Sequence, residues 1–336
     1  MTDTINKYLL TYMQLLNNYV MNEDEASLYE VEQLSKSLIK HNYSPEEIIN
    51  LHRRALFELF PNIDHKHKLA MYFLIEAITY YGVAYQEVTT LRDSQDALKS
   101  EIAVAASMQA SLLSTTIPCD ESLDIGIKSV PASQMNGDYY HFFEGNDHSI
   151  GLVIADVVGK GVPAALCMSM IKYSLDSFPN ELMYPKNILK NLNRVVERNV
   201  DASMFITMLC ATYQPQINMF TYASAGHEPG FYFDGQTQTF NDLETKGLIL
   251  GVLPHSTYKE YKIQFRKGDM LVLLTDGVTE SKRDNEFIER EYLIQVIERF
   301  IHLPAQQMVN EVYRHFERLQ DFELRDDFTL MILKHV

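Results

Sequence analysis

Apolar residues recur every three or four positions through the first 84 residues, which is the spacing of helices that bury one face. The first two runs are Leu9, Leu10, Met13 and Leu16, then Leu28, Val31, Leu34, Leu38 and Ile39. The segment Ser44–Glu47 predicts a helix start, with a capping serine, a first-turn proline and a glutamate that completes a capping box. Pro61–Asp64 breaks the pattern before a last apolar helix. We therefore predict four short helices, packed as a small bundle over residues 1–84.

Residues 85–117 have a different pattern, a heptad register of about four repeats. Its members are Val88, Leu91, Gln95, Leu98, Ile102, Ala105, Gln109 and Leu112. We predict a long helical linker and a parallel coiled coil between two copies, hence a homodimer; the alternative is that the stripe packs on its own chain. Gln95 and Gln109 are polar members that weaken the seam, which suits a switchable element. Replacing both by leucine is expected to raise basal activity.

Residues 118–336 mix strands with helices and form the third predicted region. The predicted strands are Leu123–Val130, Ile150–Ala155, Met204–Tyr213, Met219–Ala225, Met270–Thr275 and Phe328–Leu333. The predicted helices are Pro163–Ser177, Pro185–Arg198 and Pro304–Gln320. Two successive helices followed by several strands argue against a doubly wound parallel sheet. The pattern favours an α+β domain of antiparallel sheets covered by helices.

Composition narrows the class of protein. The 336 residues are long enough for two cores, and 46% of them are apolar. A formal net charge of -16 disfavours binding to nucleic acid or to anionic membrane surfaces. The three cysteines are far apart, so we expect neither disulfides nor a zinc site. Without a signal peptide or a sufficiently long apolar run, we expect a cytoplasmic protein and no membrane span.

Aspartates stand where predicted strands begin or end. Asp138 follows a glycine, Asp156 ends an apolar strand before a glycine loop, and Asp276 lies in a Thr-Asp-Gly sequence. Asp326 and Asp327 directly precede the final strand. If these ends converge, the carboxylates repel one another and cations relieve the repulsion. An all-oxygen set favours Mg²⁺ or Mn²⁺, and two such ions about 3.5–4 Å apart can direct a hydroxide onto a phosphoryl group.

The order of these motifs resembles the PPM (protein phosphatase 2C) superfamily, in its bacterial SpoIIE-like branch, over about residues 120–336. The carrying segments are Gly137–Tyr140, Ala155–Gly161, Tyr222–His227, the Thr-Asp-Gly sequence and Asp326–Thr329. Together with the helical N-terminal region and its linker, they are similar to phosphatases of the sigma-B general stress pathway. The resemblance implies an αββα sandwich, an activity as a protein-serine/threonine phosphatase and a binuclear Mn²⁺ or Mg²⁺ centre.

The resemblance also implies residue roles at that centre. The implied metal-binding residues are Asp138, Asp156, Val157, Asp276, Asp326 and Asp327, and the four catalytic ones are Asp138, Asp156, Asp276 and Asp326. Asp156 would bridge the two ions, and the backbone carbonyl of Val157 would complete one site. Asp276 and Asp326 would hold the second ion, although which of the two adjacent aspartates faces it stays open. Asp138 would bind directly or through water.

Two features of eukaryotic members are missing here. The position of their proposed general-acid histidine is Val158 or Gly159, so no protein general acid is assigned. Their phosphate-binding arginine has no counterpart, and Lys128 is the nearest base before Asp138. His227 is a candidate replacement, but a structural role in a turn between strands is favoured.

For partners, the resemblance implies a phosphoserine on a small STAS-domain anti-anti-sigma factor as substrate. It also implies activation by an RsbT-like switch kinase that binds the N-terminal helices, and a positive role in the sigma-B response. Two other classes compete with this reading. One is a catalytically silent scaffold, which need not keep the aspartates. The other is a kinase or NTPase using Gly159–Gly161, which lacks a G-x-x-x-x-G-K-[ST] sequence.

Overall fold

The computed structural model describes residues 2–23, 25–41, 43–145, 148–159, 161–178, 184–201, 204–283, 286–320 and 324–336. The chain divides into two compact units, Met1–Ser100 and Glu101–Val336. Within the described residues, no helix combines the length and apolarity that crossing a membrane requires.

The N-terminal unit is helical, as predicted. Its first helices are α1 (Thr2–Asn22), α2 (Ala26–Lys40) and α3 (Pro45–Leu59), and α1 contacts both of the others. Their shared core consists of Leu9, Leu38, Leu51 and Ala55. The predicted capping box at Ser44 is confirmed, since its hydroxyl accepts from the Glu47 amide and the Glu47 side chain accepts from the Ser44 amide.

The prediction of four short helices is wrong at the fourth. Helix α4 (His65–Leu112) contains 48 residues and includes most of the expected linker. Gly82 lies inside this helix, where a glycine costs only about 1 kcal/mol relative to alanine. Since proline is absent from residue 62 to residue 117, nothing in the sequence forces an end near residue 84.

The described residues of the C-terminal unit form twelve strands and five further α-helices. The strands are β1 (Leu123–Val130), β2 (Asp138–Glu144), β3 (Ile150–Val157), β4 (Ile206–Gln214), β5 (Met219–Ala225), β6 (Phe231–Asp234), β7 (Thr239–Asp242), β8 (Tyr261–Gln264), β9 (Met270–Leu274), β10 (Lys282–Arg283), β11 (Glu286–Phe287) and β12 (Phe328–His335). The helices are α5 (Val162–Asp176), α6 (Pro185–Asn199), α7 (Asp276–Thr279), α8 (Arg290–Arg299) and α9 (Ala305–Leu319).

Two five-stranded antiparallel sheets form the centre of this unit. The first has the order β1-β12-β9-β6-β7, and the second has the order β2-β3-β4-β5-β8. Side chains such as Leu152 and Met331 fill the space between the sheets. Helices α5 and α6 cover the outer face of the second sheet, and α8 and α9 cover the outer face of the first. The αββα sandwich is confirmed.

The long apolar strands agree with the predicted ones within a few residues at each end. The sequence pattern did not predict β2, the helices α7 and α8, or the short strands β6, β7, β8, β10 and β11. The strand β2 reads Asp-Tyr-Tyr-His-Phe-Phe-Glu, in which aromatic and polar residues hide the alternation of a half-buried strand. Because β2 lies at the edge of the second sheet, it can contain these polar residues.

Candidate metal centre

Two of the predicted acids face each other across the hairpin of β2 and β3. Asp138 begins β2, Asp156 lies near the end of β3, and the antiparallel register makes them direct partners. Residues opposed in this way have Cβ atoms about 5 Å apart, so their carboxylates repel each other when both are charged. Asp138 is buried, whereas Asp156 is half-buried.

The second pair of acids lies where β9 ends and β12 begins. Asp276 is the first residue of α7, two residues after the end of β9, and Asp326 lies two residues before the start of β12. Gly277 permits this approach, because a Cβ atom there would lie 2.0 Å from the carbonyl oxygen of Asp327. The glycine of the Thr-Asp-Gly sequence is therefore required by close packing against the backbone of residues 326–327.

The Asp327 carboxylate accepts hydrogen bonds from two backbone amides. It is 4% exposed, and its Oδ1 accepts a hydrogen bond of 2.7 Å from the amide of Ala132. Its Oδ2 accepts a second bond from the amide of Gly137. Asp326 is half-buried, and its Oδ1 accepts from the Asp327 amide at 2.9 Å. Both carboxylate oxygens of Asp327 thus accept from backbone amides in a buried position, whereas Asp326 is half-buried.

A hydroxyl connects the two sheets at these strand ends. Thr275, the residue after β9, donates from Oγ1 to Oδ2 of Asp138 at 2.8 Å. The amide of Thr329 in β12 donates to the same Thr275 oxygen at 3.1 Å. Neither threonine was predicted as a site residue, although Thr275 and Thr329 lie within the same motifs as Asp276 and Asp326. The hydrogen bond from Thr275 places Asp138, in the second sheet, beside the ends of β9 and β12 in the first sheet.

The carboxylates perturb one another. Burial raises the pKa of Asp138 well above its ordinary value, and the charges of Asp156 and Asp327 raise it further against hydrogen bonds from Thr329 and Thr275. Burial also raises the pKa of Asp276, and Glu280 and Asp326 add to the shift. For both residues burial is the main cause of the raised pKa, and the neighbouring carboxylates add to it.

The loop after β3 brings a backbone oxygen to the same place. A Cβ atom on Gly137 would lie 2.9 Å from Asp327 Oδ2 and 3.6 Å from the carbonyl oxygens of Val157 and Gly159. Gly159 and Gly161 adopt φ values of 123° and 79°, in the left-handed region that favours glycine. Lys160, which the kinase or NTPase reading invoked, lies outside the described residues.

These groups fit hard divalent cations. The donors are carboxylates and a backbone carbonyl, which suit Mg²⁺ and Mn²⁺. Such ions would also offset the negative charge that the neighbouring carboxylates add to the effect of burial on the pKa values of Asp138 and Asp276. The acids form two pairs rather than one cage, because no three His, Cys, Asp or Glu side chains among the described residues are grouped closely enough to hold one ion. Carbonyl oxygens and water are then needed to complete each coordination sphere.

His227 and Lys128, the two candidate bases, each contact other side chains. His227 is 3% exposed, its Nδ1 lies 3.0 Å from Thr207 Oγ1, and its amide donates to Ser224 Oγ. Burial lowers the pKa of His227 to about 4, so the ring is neutral at pH 7 and supports the strands as expected. The Lys128 ammonium lies 4.8 Å from the ring centroid of Tyr313 in α9, on the outer face of the first sheet.

Comparisons with known proteins agree with this architecture. Residues 146–336 match the family described as stage II sporulation protein E (SpoIIE), and residues 10–84 match the N-terminal domain of the phosphoserine phosphatase RsbU. The chain is 52% identical over 323 residues to phosphoserine phosphatase RsbU of Bacillus subtilis (strain 168), covering 96% of each chain.

Two solved structures share the fold. The SiaA-PP2C domain of Pseudomonas aeruginosa aligns with a TM-score of 0.63 at 17% identity, over 73% of this chain and 98% of that one. The RsbU and RsbW domains of Rv1364c from Mycobacterium tuberculosis align with a TM-score of 0.57 at 21% identity, over 66% and 62% of the respective chains. At these identities the two structures support the fold alone.

Proposed function

Since this chain belongs to the RsbU family of phosphoserine phosphatases, we propose that it hydrolyses a phosphoserine on a small STAS-domain anti-anti-sigma factor. Removal of the phosphate frees that factor to sequester an anti-sigma kinase, so the enzyme is a positive regulator of a sigma-B-type stress response. The observation that carries the proposal is the gathering of Asp138, Asp156, Asp276 and Asp326 at one end of a PP2C-type sandwich, in a chain related to one phosphoserine phosphatase along almost its whole length.

We propose the metal ligands that the family resemblance implies. Asp156, the backbone carbonyl of Val157, Asp276 and Asp326 would hold two Mn²⁺ or Mg²⁺ ions, and Asp138 would contribute directly or through water. Bound there, the ions supply positive charge that activates water and polarises the phosphoryl group.

The residues of the chain perform the positioning. Thr275 fixes the Asp138 carboxylate by its hydrogen bond of 2.8 Å, and Asp327 fixes the segment before Asp138 through two backbone amides. The half-buried Asp156, Asp276 and Asp326 remain open to a phosphorylated serine from solvent. No side chain is assigned as general acid, so water is the proton source for the serine leaving group.

The helical N-terminal region is proposed to bind the activator, an RsbT-like switch kinase. Its support is the match of residues 10–84 to the RsbU N-terminal domain. The functional division then follows the predicted regions, with residues 1–84 for partner binding, 85–117 as a coiled-coil linker of a homodimer and 118–336 for catalysis. We further propose that the enzyme acts in the cytoplasm and, because of its net charge of -16, binds neither nucleic acid nor anionic lipid.

The test is phosphate release from a serine-phosphorylated STAS protein, measured with Mn²⁺ or EDTA and with or without the switch kinase. We expect release that requires Mn²⁺ and rises when the kinase is added. Release without any effect of the kinase would remove the regulatory half of the proposal. No release in any condition, while a small aryl phosphate is hydrolysed, would reject the STAS substrate; loss of both activities would favour a silent scaffold.

A further inference from the structure

The side chain of Gln109 pairs with the backbone of a residue beside the acids. Gln109 is 6% exposed; its Oε1 accepts from the amide of Asn136 at 3.1 Å, and its Nε2 donates to the Asn136 carbonyl at 2.8 Å. The side-chain amide of Gln109 therefore bonds both the backbone N–H and the backbone C=O of Asn136, as a neighbouring β-strand would. Both residues belong to the unit Glu101–Val336.

The Asn136 side chain in turn bonds to the backbone of Asp138. Its Oδ1 accepts from the Asp138 amide at 2.9 Å, and its Nδ2 donates to Ser129 Oγ at 3.1 Å. From the other side, Asp327 accepts from the amide of Gly137. The backbone that carries the Asp138 carboxylate is therefore held by Gln109 on one side and by Asp327 on the other.

The heptad stripe offers a matched comparison. Gln95 precedes Gln109 by 14 residues, two heptads, and so shares its heptad position. Gln95 is exposed, whereas Gln109 is buried in its own unit. The same residue type at the same repeat position thus has two environments, which the repeat pattern does not distinguish.

We propose that Gln109 is a positioning residue for the metal centre, which orders Asn136 and thereby places Asp138. The contact is made from the last turn of α4, so the centre is completed only when the helix extends that far. This inference rests on the proposed metal role of Asp138. It reverses the expectation for one of the two glutamines: Gln109→Leu lowers metal affinity and activity.

The experiment compares the full-length wild type with Gln109→Leu, Gln109→Met and Gln95→Leu. Methionine preserves the length of the side chain and removes only its hydrogen bonds, so it guards against loss by misfolding. Mn²⁺ affinity is measured by titration calorimetry, hydrogen exchange of residues 131–138 is measured without metal, and hydrolysis of p-nitrophenyl phosphate is measured against Mn²⁺ concentration. Supporting contacts around metal ligands typically change affinity by about 10-fold or more.

We expect both Gln109 variants to bind Mn²⁺ roughly tenfold more weakly and to exchange faster at residues 136–138. The Mn²⁺ affinity of Gln95→Leu should stay within about twofold of the wild type, a change much smaller than the tenfold loss expected for the Gln109 variants. Wild-type affinity in folded Gln109 variants, or an equal loss in Gln95→Leu, would overturn the proposal. Faster exchange without weaker binding would also overturn it. If the wild type itself binds no Mn²⁺, the metal role of Asp138 fails, and this inference fails with it.

Discussion

At the scale of single residues, burial and neighbouring negative charge both raise the pKa of Asp138. It is 3% exposed, and the charges of Asp156 and Asp327 add to the effect of desolvation on its pKa. Burial and neighbouring negative charge both favour the protonated form of a carboxyl group. A divalent cation reverses this balance, because it favours the ionised form that burial disfavours.

Asp326 and Asp327 are adjacent, yet we expect different effects from the same substitution. Asp326→Asn should abolish Mn²⁺-dependent phosphate release with little change in stability. Asp327→Asn turns an amide donor toward one of two backbone donors, which should lower the free energy of unfolding by about 1–3 kcal/mol. Urea unfolding and phosphatase assays on both variants measure the two effects. Normal turnover by Asp326→Asn would contradict the ligand assignment.

His227 predicts a pH dependence of stability. Its pKa is lowered by burial to about 4, against an ordinary 6.5, so the unfolded chain binds more protons between these values. Stability therefore rises with pH through that window, and acidification from pH 7 to 4.5 should cost about 2 kcal/mol through this group. Denaturant unfolding at several pH values measures the slope, with His227→Gln as reference. An identical slope in that variant would contradict this account.

At the scale of elements, the helix α4 presents two kinds of surface. Val88, Leu91 and Leu98 are 46%, 59% and 57% exposed, so the first half of the heptad stripe leaves apolar side chains uncovered. Farther along, Ile102 and Ala105 are half-buried and Gln109 is buried. Pairing between two copies remains a prediction. In the second half Gln109 bonds to its own chain, while Leu112 is 41% exposed.

The Gln95→Leu variant tests the pairing. A leucine at a polar seam position strengthens a coiled coil, so the dimer should dissociate at lower concentration and basal phosphatase activity should rise. Sedimentation equilibrium measures the first effect, and phosphate release without the switch kinase measures the second. A strengthened dimer with unchanged basal activity would separate pairing from activation.

At the scale of the whole molecule, the compact units do not follow the motif boundaries. The C-terminal unit begins at Glu101, inside α4, and includes the Gln109 contact. The SpoIIE match begins at residue 146, after both Asp138 and β2. The folded catalytic unit therefore takes in more of the chain than that match covers.

A fragment of residues 101–336 should fold and retain Mn²⁺-dependent hydrolysis of p-nitrophenyl phosphate, because it keeps both sheets, the four acids and Gln109. It should lose the response to the switch kinase, since the proposed binding region is absent. Circular dichroism, the hydrolysis rate and the effect of added kinase on a phosphorylated STAS protein are measured together. A fragment still stimulated by the kinase would place the activator site on the catalytic unit.

The sequence by itself determined the long apolar strands, the proline-led helices, the capping box at Ser44 and the acids at strand ends. These features depend on local periodicity and residue chemistry, which are readable along the chain. It missed β2 and the short strands, whose pairing partners are distant in sequence.

Only the tertiary structure decided which acids meet and what surrounds them. Asp138 is joined to Asp156 by strand register and to Thr275 by packing of the two sheets. The separate environments of Asp326 and Asp327, and of Gln95 and Gln109, arise from contacts with segments far away in sequence. Identical residue types in identical local patterns are distinguished physically only by such long-range contacts.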